Sequence, residues 1–126
     1  MNINERLNKL SEKVIGCAIE VHKQLGPGLL ESIYQNAMCV EFELNMINFH
    51  KELTIPVIYK GRKIGEHRID LIVEDEIILE LKCVNRNDPI FEAQLLSYLK
   101  LTGKRLGLLI NFNTLLLKDG IKRLIM

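Results

Sequence analysis

The chain has 126 residues, of which 48% are hydrophobic and 26% charged, with a formal net charge of +1. That is the balance of one globular α/β-sized domain over 1–126; it weighs against disorder, and it leaves any phosphate-binding surface to local clustering, because dedicated nucleic-acid binders are more basic overall. The three cysteines, Cys17, Cys39 and Cys83, lie in apolar stretches without metal-ligand spacing and predict reduced, buried thiols in a cytoplasmic protein.

From Glu5 to Leu25, the residues Leu7, Leu10, Val14, Cys17, Ala18, Val21 and Leu25 recur at helical spacing, and Gly26-Pro27-Gly28 ends the helix. A second helix is expected from Leu29 to about Asn45. Leu53 to Tyr59 reads as a strand, Lys60-Gly61 as a hairpin turn, and Arg62 to Val73 as the return strand. Pro56 marks the first strand as an edge. Glu74-Asp75-Glu76 is an acidic turn into a third strand, Ile77 to Val84. Asn87-Asp88-Pro89 starts a helix that runs to about Leu101 and stops at Gly103. Arg105 to Phe112 is a buried strand, and a Lys118-Asp119-Gly120 turn leads to a last strand, Ile121 to Ile125. The predicted order is ααβββαββ. No segment has the apolar length of a signal peptide or of a membrane span, so neither export nor membrane insertion is expected.

Strand side chains alternate between faces. Ile77, Leu79, Leu81 and Cys83 form one face of the third strand; Ile78, Glu80, Lys82 and Val84 form the other. In the preceding strand Ile69, Leu71 and Val73 are apolar, which assigns Asp70 to the second face and His67 away from it. A three-residue turn at Glu74–Glu76 pairs Val73 with Ile77 and sets Asp70 opposite Glu80, roughly 5 Å away. A two-residue turn would mismatch both apolar faces. Two carboxylates so close repel, and a hard divalent cation resolves the conflict. A neighbouring lysine can steady an attacking hydroxide or the charge growing on a phosphate. The plainer alternative is an Asp70–Lys82–Glu80 salt-bridge ladder on a solvated face. Gln94 and Tyr98 share one side of the following helix, and Glu31 and Tyr34 one side of the second.

Gly28-x-x-Glu31-x-x-Tyr34 resembles the signature of the GxxExxY protein family, a branch of the PD-(D/E)XK nuclease superfamily. The likeness continues through Tyr59-x-Gly61, Arg68-x-Asp70, Glu80-Leu81-Lys82, Gln94-Leu95-Leu96-Ser97-Tyr98-Leu99, Leu109-Ile110-Asn111-Phe112 and Gly120-Ile121-Lys122-Arg123. It spans about Val14 to Arg123. Ile69 stands where the superfamily's name has proline, and Asn113 where the pattern has glycine. The resemblance implies a restriction-endonuclease-like fold, a central mixed β-sheet flanked by α-helices. It also implies a Mg2+- or Mn2+-dependent site that cleaves nucleic-acid phosphodiester bonds. Asp70 and Glu80 would be metal ligands, with Glu31 as a further acidic ligand, and Lys82 the catalytic lysine. Gln94 and Tyr98 match the Q-x-x-x-Y element of exonuclease-like branches.

Each feature has a structural counterpart. Glu31 at N3 of a helix capped by Gly28 would simply favour the helix dipole, and Tyr34 would pack. Basic residues cluster at Lys60, Arg62 and Lys63, at Lys100, Lys104 and Arg105, and at Lys118, Lys122 and Arg123. A cluster bordering the carboxylates would track a phosphate backbone. The expected partner is nucleic acid, DNA foremost, acted on by a homodimer or within a nucleic-acid-processing complex. The rival reading is a catalytically silent nucleic-acid-binding or protein-interaction module that keeps the fold.

Overall fold

A computed structural model describes residues 2–126. The first helix, α1 (Ile3–Leu25), is capped by the Asn2 side chain, which accepts from the Glu5 N–H, and ends at Gly26, whose φ of 70° few other residues adopt. Helix α2 (Glu31–Leu44) follows. Strands β1 (Phe49–Tyr59) and β2 (Arg62–Val73) form a long hairpin, and β3 (Ile77–Lys82) pairs antiparallel with the end of β2. Helix α3 (Pro89–Thr102) has Asp88 as its cap, Pro89 in its first turn and left-handed Gly103 at its end. Strand β4 (Leu106–Asn111), a single 3-10 turn (Leu117–Gly120) and β5 (Ile121–Ile125) complete the chain. The expected element order holds.

The five strands lie in chain order in one sheet, with only β3 and β4 parallel, joined by the α3 crossover. One face of the sheet packs Leu71, Val73, Ile77, Leu79, Leu81, Leu108 and Ile110 against α1 and α2. The other packs Ile55, Ile69, Ile72, Ile78 and Leu109 against Leu95, Tyr98 and Leu99 of α3. The sheet is thus covered on both sides, which is why β3 and β4 are near-continuous apolar runs. Among the described residues no helix is long and apolar enough to cross a membrane.

Three expectations are corrected. The first strand begins at Phe49, because Phe49–Lys51 pair with Leu71–Val73 and the Phe49 ring packs 5.6 Å from that of Phe42. Helix α2 starts at Glu31 with Leu30, not Gly28, at its cap, so Glu31 is the first helical residue. Ile69 packs with Ile72 beneath α3, although simple alternation puts it with Leu71. The β1–β2 pairing skips Glu52 and Asp70, and Glu52 holds a φ of 57°. The ribbon turns over at this point, and the alternation restarts.

Gly120 supports the end of β4. A Cβ there would stand 2.2 Å from the Asn111 carbonyl oxygen, which is backbone and cannot move aside. Gly120→Ala is expected to destabilise the fold by about 1–3 kcal/mol, read as a lowered urea midpoint at unchanged slope.

Candidate active site

The expected register is present: Val73, Ile72 and Leu71 face Ile77, Ile78 and Leu79. One step further the regular ladder gives way to Asp70 and Glu80. The Asp70 carboxylate accepts the Leu81 N–H at 2.8 Å, and the Glu80 carboxylate accepts the Asp70 N–H at 3.3 Å. Each acid thus caps the backbone of the opposite strand. This locks both side chains against the end of the sheet, between α2 and α3.

Burial sets the electrostatics. Glu80 is 4% exposed, and desolvation first, then the Asp70 charge, push its carboxyl up to about 8. Asp70 is also raised, mainly by burial, against the opposing pull of the Leu81 N–H and the Lys82 charge. Glu31, more open to solvent, is raised by desolvation and by Asp70. Tyr98, at 3% exposure, is pushed up to about 12 by burial and then by Glu80 and Asp70. Glu31, Asp70, Glu80, Lys82 and Tyr98 therefore share one electrostatic environment, although they come from four elements.

The salt-bridge ladder does not form. Among the described residues no ion pair involves Asp70, Glu80 or Lys82. The Lys82 ammonium instead lies 4.7 Å from the centre of the Phe91 ring, which attracts a cation without neutralising it. Gln94 is half-buried on α3, one turn before Tyr98.

Other residues hold the site in place. Tyr34 is fully buried, stacks on Phe112 at 4.5 Å, donates to the Gly26 carbonyl and accepts the Leu29 N–H at 3.2 Å. The spacing from Gly28 to Tyr34 is thereby explained: the tyrosine pins the loop that delivers Glu31. Gln35 donates to the Asp70 carbonyl at 3.0 Å and ties α2 to the site strand. Asn111 bonds both the N–H and the carbonyl of Val84, fixing the chain just after Lys82. Asn113 holds no left-handed φ and donates to Asn85 at 2.7 Å, so a glycine is not required there.

Sequence patterning passed over Gln35, Phe91 and Asn111 as site supports. Asn111 carried one signal, a polar residue closing an apolar strand. Patterning also turned His67 away from the site, yet its ring lies 5.5 Å from Tyr98. The turnover at Asp70 reverses its assigned face. Cys39 and Cys83 are only partly buried, unlike Cys17, and all three thiols are free.

Asp70 and Glu80 suit a hard divalent cation: two carboxyls side by side, held by backbone hydrogen bonds and in no ion pair among the described residues. Mg2+ typically takes one or two carboxylates and keeps several waters. The expected three-carboxylate set is not assembled, since among the described residues no three His, Cys, Asp or Glu side chains are gathered closely enough to hold an ion. Glu31, on the first turn of α2, stands off from the other two.

No curated protein matches the chain. The crystal structure of SSO0001 resembles it at 19% identity with a TM-score of 0.48, over 73% of this chain and 46% of that one. The chain thus spans less than half the length of that protein. A family model described as the PD-(D/E)XK nuclease superfamily matches residues 8–124, a span that takes in most of α1, all of α2, the crossed carboxylates and the lysine beside them. The α/β fold is restriction-endonuclease-like, and the chain belongs to the PD-(D/E)XK nuclease superfamily.

Proposed function

We propose that this protein is a divalent-metal-dependent nuclease that hydrolyses phosphodiester bonds in DNA, built as one domain over 1–126 in the GxxExxY branch. The observation that carries the reading is the pair of crossed, buried carboxyls, Asp70 and Glu80, in no ion pair among the described residues while Lys82 lies over Phe91 instead. A structural ion pair would have closed on itself.

Asp70 and Glu80 would hold Mg2+ or Mn2+, and Glu31 would add a third acidic group near enough to feel the Asp70 charge. The ion would supply polarisation of a phosphoryl oxygen and a more acidic bound water. Lys82, over the Phe91 ring and in no ion pair among the described residues, would steady the charge that builds on the phosphate. Tyr98 keeps its proton at neutral pH and can donate to a phosphate oxygen, and Gln94 orients the substrate from the next turn. The free thiols accord with work in the cytoplasm.

The test is cleavage of labelled single- and double-stranded DNA and RNA with Mg2+, Mn2+ or chelator. Metal-dependent cutting of DNA is expected. Intact polymers after incubation with folded, metal-replete protein would favour the catalytically silent module instead.

A further inference from the structure

We propose that the β1–β2 hairpin from Leu53 to Arg68 is an arm that follows double-stranded DNA in its major groove beside the cut; this rests on the nuclease reading above. Strand β3 ends at Lys82 and pairs with β2 only at Leu71–Val73, whereas β2 reaches back to Arg62 with β1 as its partner. The hairpin therefore overhangs the end of the sheet where Asp70 and Glu80 lie. From Asp70 to Arg62 it extends about 26 Å.

Only the base of this arm is anchored. Ile55 and Ile69 pack on α3, and His67 sits beside Tyr98. Beyond them the surface is open: Ile58, Tyr59 and Ile64 are 54%, 58% and 65% exposed. The arm carries Lys60, Arg62, Lys63 and Arg68 against Glu66 alone, a net of +3 in a chain whose total is +1. The remaining residues are therefore net acidic, and positive charge is concentrated on this ribbon.

Ion pairs occupy part of every basic cluster: within the arm Lys63 pairs with Glu66 and Arg68 with Glu52. Lys104 pairs with Asp75, Lys122 with Glu92, and Arg105 and Arg123 bond Asn4 and Asn8. Lys60 and Arg62, at the arm's tip, have no ion-pair partner among the described residues.

The occupant follows from shape and charge. A two-stranded ribbon fits the major groove of B-form DNA, while the A-form groove is too narrow and deep. Strand addition by a second copy is disfavoured, because β1 is an edge blunted by Pro56 and by a register shift between Val57 and Ile58. Two such arms would also bring like charges together. The arm's length corresponds to roughly eight base pairs between the cut and the tip.

The test combines Lys60→Ala, Arg62→Ala and Lys63→Ala. Duplex binding is measured against salt in the Lys82→Ala background, so that the DNA stays intact. Hydrolysis of bis(p-nitrophenyl) phosphate is measured with Lys82 present. The arm substitutions are expected to weaken duplex DNA binding about tenfold or more and to lower the salt slope by up to about 2.7. Hydrolysis of the small diester should not change. Unaltered duplex affinity and slope, with small-diester hydrolysis intact, would overturn the arm and leave the nuclease standing. An equal loss of binding to duplex RNA or single-stranded DNA would overturn the groove assignment. A change in sedimentation without a change in DNA binding would assign the arm to a second copy and overturn the proposal. Failure of the protein with native Lys82 and an intact arm to hydrolyse any diester would remove the nuclease reading, and the arm's role with it.

Discussion

Asp70→Ala and Lys82→Ala are each expected to lower metal-dependent DNA cleavage by about 10²–10⁴-fold, measured as single-turnover rate at saturating metal. The two should fail differently. On the proposed mechanism Asp70 would supply a cation ligand, so its loss should also raise the Mg2+ concentration needed for half-maximal activity. Lys82 forms no ion pair among the described residues and on the proposed mechanism would act on the phosphate, so its loss should cut the rate with little change in metal requirement. Neither substitution should unfold the protein. Lys82 is half-buried and its contact with Phe91 is worth about 0.5–2 kcal/mol. Asp70→Ala loses one hydrogen bond, from the Leu81 N–H, and removes a carboxyl whose charged form burial disfavours. Full activity in folded Lys82→Ala protein would sink the mechanism.

The metal-free protein is expected to gain stability as the pH falls from about 8 to 5, on the order of 2–4 kcal/mol. Glu80 is the cause, because burial and the Asp70 charge raise its folded pKa to about 8 from the ordinary 4.5. Between those values the native state binds a proton that the unfolded chain does not. The stabilisation is complete below the unfolded pKa and disappears as the pH rises through the folded one. Asp70 shifts in the same direction. Bound Mg2+ should reverse the trend, since it requires both carboxylates ionised. Urea unfolding in chelator across this range tests the slope, and repetition in Mg2+ tests the reversal. Glu80→Gln should flatten the chelator profile and stabilise the metal-free protein by about 0.5–2 kcal/mol at neutral pH, at the expense of cleavage. A flat profile for the native sequence would mean that Glu80 is ionised in the fold without cost.

These predictions depend on a geometry that was partly visible in the chain. Apolar alternation on both sides of Glu74–Glu76 allowed one register, and that register places Asp70 beside Glu80. Helix limits at Gly26, Asp88 and Gly103 were equally readable, because φ > 0, a side-chain cap and a proline in the first turn are local requirements.

Other features required the assembled fold. Alternation assumes an unbroken strand, and the skipped pairing at Glu52 and Asp70 broke it, moving Ile69 and His67 to the face beneath α3. Lys82 could have closed on either carboxylate; only the position of Phe91 on α3 shows that it does not. Glu31 shares a helix face with Tyr34 by spacing, yet its distance from the carboxylate pair depends on how α2 docks, through Tyr34 to Gly26 and Gln35 to Asp70. Periodicity, caps and turn chemistry act within a few residues, so the chain alone determined the elements, their order and the Asp70–Glu80 register. Burial, the raised carboxyl groups and the unpaired lysine arise from long-range packing of α2 and α3 onto the sheet, and only the tertiary structure decided them.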